Sequence, residues 1–114
     1  MATAAVQRYW TTVAALGCLV CGRPAEIAHA HGPSLAARGF PKAKGKKLDY
    51  MDWLVLPLCP KCHRTETGSL DNAMASWEET HGAQADWVDL VGALLNINPW
   101  AMARADRKYT GVMP

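Results

Sequence analysis

Apolar residues recur at helical spacing near the start of the chain. Val6, Tyr9, Trp10, Val13 and Leu16 fall on one face, which predicts a helix over 3–16 that stops at Gly17. Residues 25–30 are shorter and mixed in character, and they end in His29-Ala-His31, a strand leading into Gly32-Pro33. The run 53–58 is continuous, apolar and β-prone, so it predicts a second strand. Pro57 within it implies a strand that ends there or lies at an edge, because proline has no amide to donate. Between the two, residues 32–48 are rich in Gly, Pro and Lys and read as a loop.

The second half of the chain is helical in pattern. Pro60 is placed to start a helical turn carrying Cys62 and His63, and Thr67-Gly68 breaks it. Asp71 suits the N-cap of a helix over 72–80, with Met74, Trp77 and His81 on one face and Gly82 closing it. A further helix over 84–95 turns Trp87, Val88, Val91, Leu94 and Leu95 inward, and a last one begins near Pro99 with Asn98 as its cap. The pattern predicts an α+β domain: two strands and a helix at the centre, helices at both ends, and no internal repeat.

The candidate chemistry begins with the cysteines. All four fall in two pairs, Cys18-Leu-Val-Cys21 and Cys59-Pro-Lys-Cys62, and His63 follows the second at once. Two CxxC turns suit a tetrahedral zinc ion, since each turn points both sulfurs at one centre. Two disulfides are the competing reading. The chain shows no apolar signal segment and no run of about eighteen apolar residues, so the expectation is a cytoplasmic protein with reduced thiols and no membrane partner. A redox CxxC needs only one pair. His63, beside Cys62, is also a possible replacement for one cysteine ligand.

The chain has 114 residues, enough for one domain with a modest core that a zinc clip would supplement. Its net charge of +2 points to no partner by itself. The distribution says more: Arg38, Lys42, Lys44, Lys46 and Lys47 fall within ten residues, interrupted by Gly39, Pro41 and Gly45. Such a basic loop suits DNA phosphates, and a solvated, solubilising loop is the alternative. His29 and His31 close the first strand, His63 follows the second, and zinc at the cysteines draws these segments together. A neutral imidazole can act as a general base near cytoplasmic pH. His31 before Gly32-Pro33 serves equally to shape a turn. The five tryptophans read as core by default.

These residues, taken in order, carry a resemblance. Cys18-x-x-Cys21, Pro24-Ala-Glu-Ile27 before His29, Asp52, Leu56-Pro-Leu-Cys59, Cys62-His63-Arg64-Thr65 and Trp77-Glu-x-x-His81-Gly82 together resemble an HNH nuclease of the ββα-metal type. More narrowly, they are similar to the phage-encoded Ref-type recombination nucleases. The resemblance implies a single domain over 1–114: an N-terminal helix over 1–17, a zinc-stabilised ββα-metal (HNH-like) core over 18–82, and C-terminal helices over 83–114. It implies a DNA endonuclease that hydrolyses phosphodiester bonds and works with host or phage recombination proteins. His29 corresponds to the general base and Asp52 to the residue that orients it. His63 corresponds to a ligand of a catalytic Mg2+ or Mn2+, with Asp71 and His31 as further candidate ligands. Two departures stand out. The family often has adjacent histidines where this chain has Ala28-His29, and it tends to carry a downstream histidine where this chain offers Glu66 and Asp71. Asp71 serves equally as a helix cap. The competing functions are a non-catalytic zinc-stabilised DNA-binding module and a phage protein that binds a host factor.

Overall fold

The computed structural model describes residues 3–41 and 49–106. Helix α1 spans Ala4–Ala14. The Thr3 side-chain oxygen caps it by accepting from the Val6 amide at 3.2 Å, and Val6, Tyr9 and Val13 form its buried face. Strand β1 is Glu26–His29 and strand β2 is Val55–Leu58. They pair antiparallel, with Glu26 opposite Leu58, Ile27 opposite Pro57, Ala28 opposite Leu56 and His29 opposite Val55. Pro57 is tolerated because each strand of a two-stranded sheet has an open edge. Its carbonyl accepts from the Leu19 amide at 3.2 Å, which ties the ribbon to the first cysteine turn.

The second strand is shorter than its apolar run, because 49–53 instead wind into a 3-10 turn, Asp49–Trp53. The Gly/Pro segment after β1 is not all loop: Pro33–Ala36 forms one helical turn, α2, with Pro33 at its first position and Leu35 fully buried. Lys42, Lys44, Lys46 and Lys47 lie outside the described residues.

The ribbon separates two apolar layers. Successive side chains of a strand point to opposite faces. Ala28, Leu56 and Leu58 therefore pack into a large core with Leu35, Phe40, Leu70 and Trp77. Ile27 and Val55 face the other way, into a smaller cluster with Tyr9 and Val13 of α1. Helix α3 spans Met74–His81, α4 spans Gln84–Leu95 and α5 spans Pro99–Ala105. Helix α4 serves both layers, with Val88 in the large core and Val91 in the small one. Leu94, expected inward, is 54% exposed; the helix touches the layers along a narrower stripe than its apolar pattern suggests. Gly92 lets α5 turn back closely, since a Cβ there would lie 2.7 Å from Pro99 Cδ and 2.8 Å from the Ile97 carbonyl. Asn98 caps α5 as expected, accepting from the Ala101 amide at 3.1 Å.

Helix α3 departs from expectation at its start. It begins at Met74 with Ala73 in the cap position and no side-chain cap, so Asp71 is not its N-cap. Asn72 does different work: its amide donates to the Arg64 and Glu66 carbonyls, at 2.8 and 2.9 Å. The free amides of α4 are met from neighbouring elements. The Glu78 carboxylate accepts from Gln84 N at 2.8 Å, and Ser34 Oγ accepts from Ala85 N at 3.1 Å.

Arg38 joins the turn after α2 to α4 and α5. Its guanidinium donates to both carboxylate oxygens of Asp89, at 2.8 Å each, and lies 4.8 Å from the centre of the Trp100 ring. The Trp100 indole donates to the same carboxylate at 2.7 Å.

Two predictions follow from this packing. The Tyr9 hydroxyl is buried without a hydrogen-bond partner among the described residues, and burial pushes its ionisation far above the ordinary range. Tyr9→Phe keeps the ring against Trp53, 5.2 Å away between centroids, and removes only the orphan oxygen. Denaturant unfolding should show unchanged stability or a gain of about 1 kcal/mol, whereas a loss of that size would mean that the hydroxyl is satisfied. The second concerns acid. Hydrogen bonding from Arg38 holds the Asp89 carboxyl below the ordinary value, with the Trp100 indole adding to the effect. A depressed folded-state value contributes stability above the unfolded pKa, and that contribution is lost as pH falls through the folded value. Both side chains are more than a third exposed, so Asp89→Asn should cost less than about 1 kcal/mol at pH 7. The cost should fade as pH falls through the depressed folded-state value, measured by urea midpoints across pH.

Candidate functional site

Two short turns bring the four cysteines together. In the first, the Gly22 amide donates back to the Cys18 carbonyl at 2.8 Å, and Gly22 takes a left-handed φ of 81° that its lack of a side chain permits. In the second, a π turn over Lys61–Thr65 starts after Pro60, and the His63 amide donates to the Cys59 carbonyl at 2.9 Å. The four sulfurs then lie within 4.8 Å of one another, and Cys21 Sγ and Cys59 Sγ are 3.4 Å apart. Sulfurs around one tetrahedral zinc would be about 3.8 Å apart, from a Zn–S length of about 2.3 Å. None of the four is in a disulfide. Cys18 and Cys59 are buried, and Cys21 is exposed.

Their ionisation reflects crowding. The Cys62 amide draws the Cys59 thiol down to about 6. Burial opposes ionisation of Cys18, yet amides of Cys59, Cys21 and Val20 lower it overall. Cys62 is pushed up by burial and by the neighbouring sulfurs. The Arg23 amide favours the Cys21 thiolate, but Cys59, burial and Cys18 raise Cys21 overall. Backbone amides thus favour the Cys59 and Cys18 thiolates, whereas burial and neighbouring sulfurs oppose those of Cys62 and Cys21. A soft divalent cation would add positive charge and favour all four thiolates. The structure therefore contains a four-sulfur cluster of the size and chemistry that holds zinc.

The histidines fall into separate groups. His29 Nε2 is 2.9 Å from Asp52 Oδ1. Asp52 is only 5% exposed, and its carboxylate is delivered by the 3-10 turn before β2. His63 follows the second cysteine pair and meets two carboxylates: Nδ1 lies 2.6 Å from Glu26 Oε2 and Nε2 lies 3.3 Å from Asp71 Oδ2. Asp71 arrives there because residues 70 and 71 run beside the turn, with the Leu70 and Asp71 amides donating to the Cys62 and His63 carbonyls. Arg64 also donates to Glu26, and Arg64 first, then His63, holds that carboxyl below its ordinary value.

The pleat separates the two strand residues, Glu26 and His29. His29 shares the Ile27 face, where its ring meets Trp10 of α1 at 5.6 Å. Glu26 shares the Ala28 face. The two residues are also three positions apart, about 10 Å along the strand. Glu26 and His29 thus point to opposite faces of β1, and His63 meets the first while Asp52 meets the second.

Two further candidates have these surroundings. His31 joins no group of three metal-ligating side chains among the described residues; that description fits the four cysteines alone. Instead the buried Gln84 amide grips the His31 backbone, accepting from its N–H at 3.1 Å and donating to its carbonyl at 2.7 Å. Arg38, expected on DNA, is bound to Asp89 and Trp100. Sequence reasoning passed over Glu26, Gln84 and Trp10 as site residues. Glu26 lay inside the motif stretch, but Gln84 and Trp10 carry no local signal.

The fold and site define a class: a small α+β domain whose two-stranded ribbon is pinned at a four-cysteine cluster. Residues 1–96 match the family model described as "Protein of unknown function (DUF968)", and the chain belongs to that family. No curated protein and no solved structure matches it. Among the described residues, no helix is long and apolar enough to cross a membrane.

Purified protein should carry one zinc per chain, and Cys59→Ser should release it and lower the melting temperature sharply. Structural zinc supplies apparent binding energy of about 10 kcal/mol or more in small domains. Elemental analysis and thermal unfolding check this. Metal-free protein with unchanged stability would contradict it.

Proposed function

We propose that this protein is an HNH-type endonuclease that hydrolyses phosphodiester bonds in DNA during phage recombination, with zinc bound by Cys18, Cys21, Cys59 and Cys62. The observation that carries this reading is the His29–Asp52 pair. Donation from Nε2–H to the sheltered carboxylate selects one tautomer, whose ring lone pair sits on Nδ1. His29 then takes a proton from the attacking water, and Asp52 orients the ring and stabilises the imidazolium that forms. The basic segment holding Lys42, Lys44, Lys46 and Lys47 would contact the DNA backbone. Arg38 is left out of this role because its guanidinium is held by Asp89.

The resemblance also implies Mg2+ or Mn2+. Such an ion would supply polarisation of the scissile phosphate. His63 and Asp71 match it in donor type, and Glu26 stands where a carboxylate typically supports a metal-binding histidine. As the structure stands, both His63 nitrogens face carboxylates. No step is therefore assigned to that pair, and the chemistry derived is that of His29 and Asp52.

A second reading is favoured by the same geometry. With both His63 nitrogens engaged by carboxylates, the domain can serve as a non-catalytic zinc-stabilised DNA-binding module.

The test is cleavage of single-stranded, double-stranded and branched DNA with added magnesium or manganese. Wild-type protein should cut at least one of these. His29→Ala should slow cutting by about 100-fold or more, the scale of a lost general base, with zinc content and DNA affinity unchanged. A wild-type protein that binds DNA but cuts none of these substrates would replace the enzyme with the binding module.

A further inference from the structure

We infer that Trp10, on the N-terminal helix outside the ββα unit, is a positioning residue for the His29–Asp52 pair. The inference deepens the proposed function and rests on reading that pair as base and orienting carboxylate. Three contacts carry it. The Trp10 indole N–H donates to the Asp52 main-chain carbonyl at 2.8 Å, across 42 positions of sequence. Its ring meets the His29 imidazole nearly at right angles, 87°, with centroids 5.6 Å apart. The adjacent Tyr9 ring lies 5.2 Å from the ring of Trp53, the residue after Asp52. Two consecutive aromatics of α1 therefore grip two consecutive residues of the turn that delivers the carboxylate.

Core packing alone does not account for this arrangement. Trp10 is only half-buried, and its polar atom is spent on the backbone of Asp52. The His29 side chain keeps 28% of its surface exposed, so the surrounding core does not fix its ring by itself. Asp52 holds one edge of the imidazole, and Trp10 holds both the ring and the backbone that aims Asp52. Without the indole donor, the Asp52 carbonyl loses a partner and the turn gains freedom. The carboxylate–imidazole geometry then broadens, and a loosened base lowers turnover more than substrate binding.

The test uses the full zinc-loaded chain with Trp10→Phe, and Tyr9→Phe as the control. In wild-type protein, NMR should show a nuclear Overhauser contact between Trp10 indole protons and the His29 ring. The His29 15N shifts should report mainly the Nε2–H tautomer. In Trp10→Phe those shifts should move toward a mixture of tautomers, while the His81 ring, which packs on Trp77, stays unchanged. Turnover should fall about 10-fold, with KM for DNA held within about twofold. Tyr9→Phe should leave the His29 tautomer alone. Unaltered His29 shifts in a folded Trp10→Phe variant would overturn the inference. So would the absence of the wild-type Trp10–His29 contact, which decides the matter even if the variant fails to fold. If wild-type protein cuts no DNA and the His29 tautomer still shifts in the variant, the enzyme reading falls and the positioning by Trp10 stands.

Discussion

Two cysteine turns 38 positions apart must meet at one point, and the rest of the structure depends on that meeting. The first turn leads into β1 and the second follows β2, so their convergence sets which ends of the strands lie together. The register in which Glu26 opposes Leu58, immediately before Cys59, is the direct result. A four-residue, two-stranded ribbon has little stability of its own in water. Here the cysteine cluster clamps one end, and apolar layers cover both faces.

Once the register is set, the pleat distributes the chemistry. Positions 26 and 28 point to one face and 27 and 29 to the other, with Ala28 in the large core and His29 against Trp10 of α1. Glu26 therefore meets His63 and Arg64 beside the cysteine cluster, while His29 meets Asp52 and Trp10 at the other end. His29 and His63 thus have separate carboxylate partners. The first is an imidazole–carboxylate pair beside the N-terminal helix. The other is an imidazole held between two carboxylates at the metal end.

Much of this was legible in the residues. The face of α1, the Asn98 cap, the short strands and the paired cysteines each follow from local spacing, and local spacing survives folding. The His29–Asp52 pair was legible only through the HNH resemblance, because 23 positions separate its members. Other readings failed where a nonlocal partner outweighed a local propensity. Asp71 has the residue type of a helix cap, yet backbone pairing with the second cysteine turn carries it to His63. Arg38 belongs to a basic run, yet Asp89 and Trp100 hold it. Leu94 fits a helical apolar pattern and still faces outward, because the surface that α4 covers is narrower than its apolar stripe. Trp10 reads as core by composition, and only the structure shows its indole reaching Asp52.

The claim on which the account turns is that the cysteine cluster holds a metal with all four sulfurs and no histidine. X-ray absorption at the zinc edge measures this shell directly. The account predicts four sulfurs at about 2.3 Å and no nitrogen. A shell of three sulfurs and one nitrogen at about 2.0 Å would contradict it, because His63 would then be a ligand and its pairing with Glu26 and Asp71 could not stand.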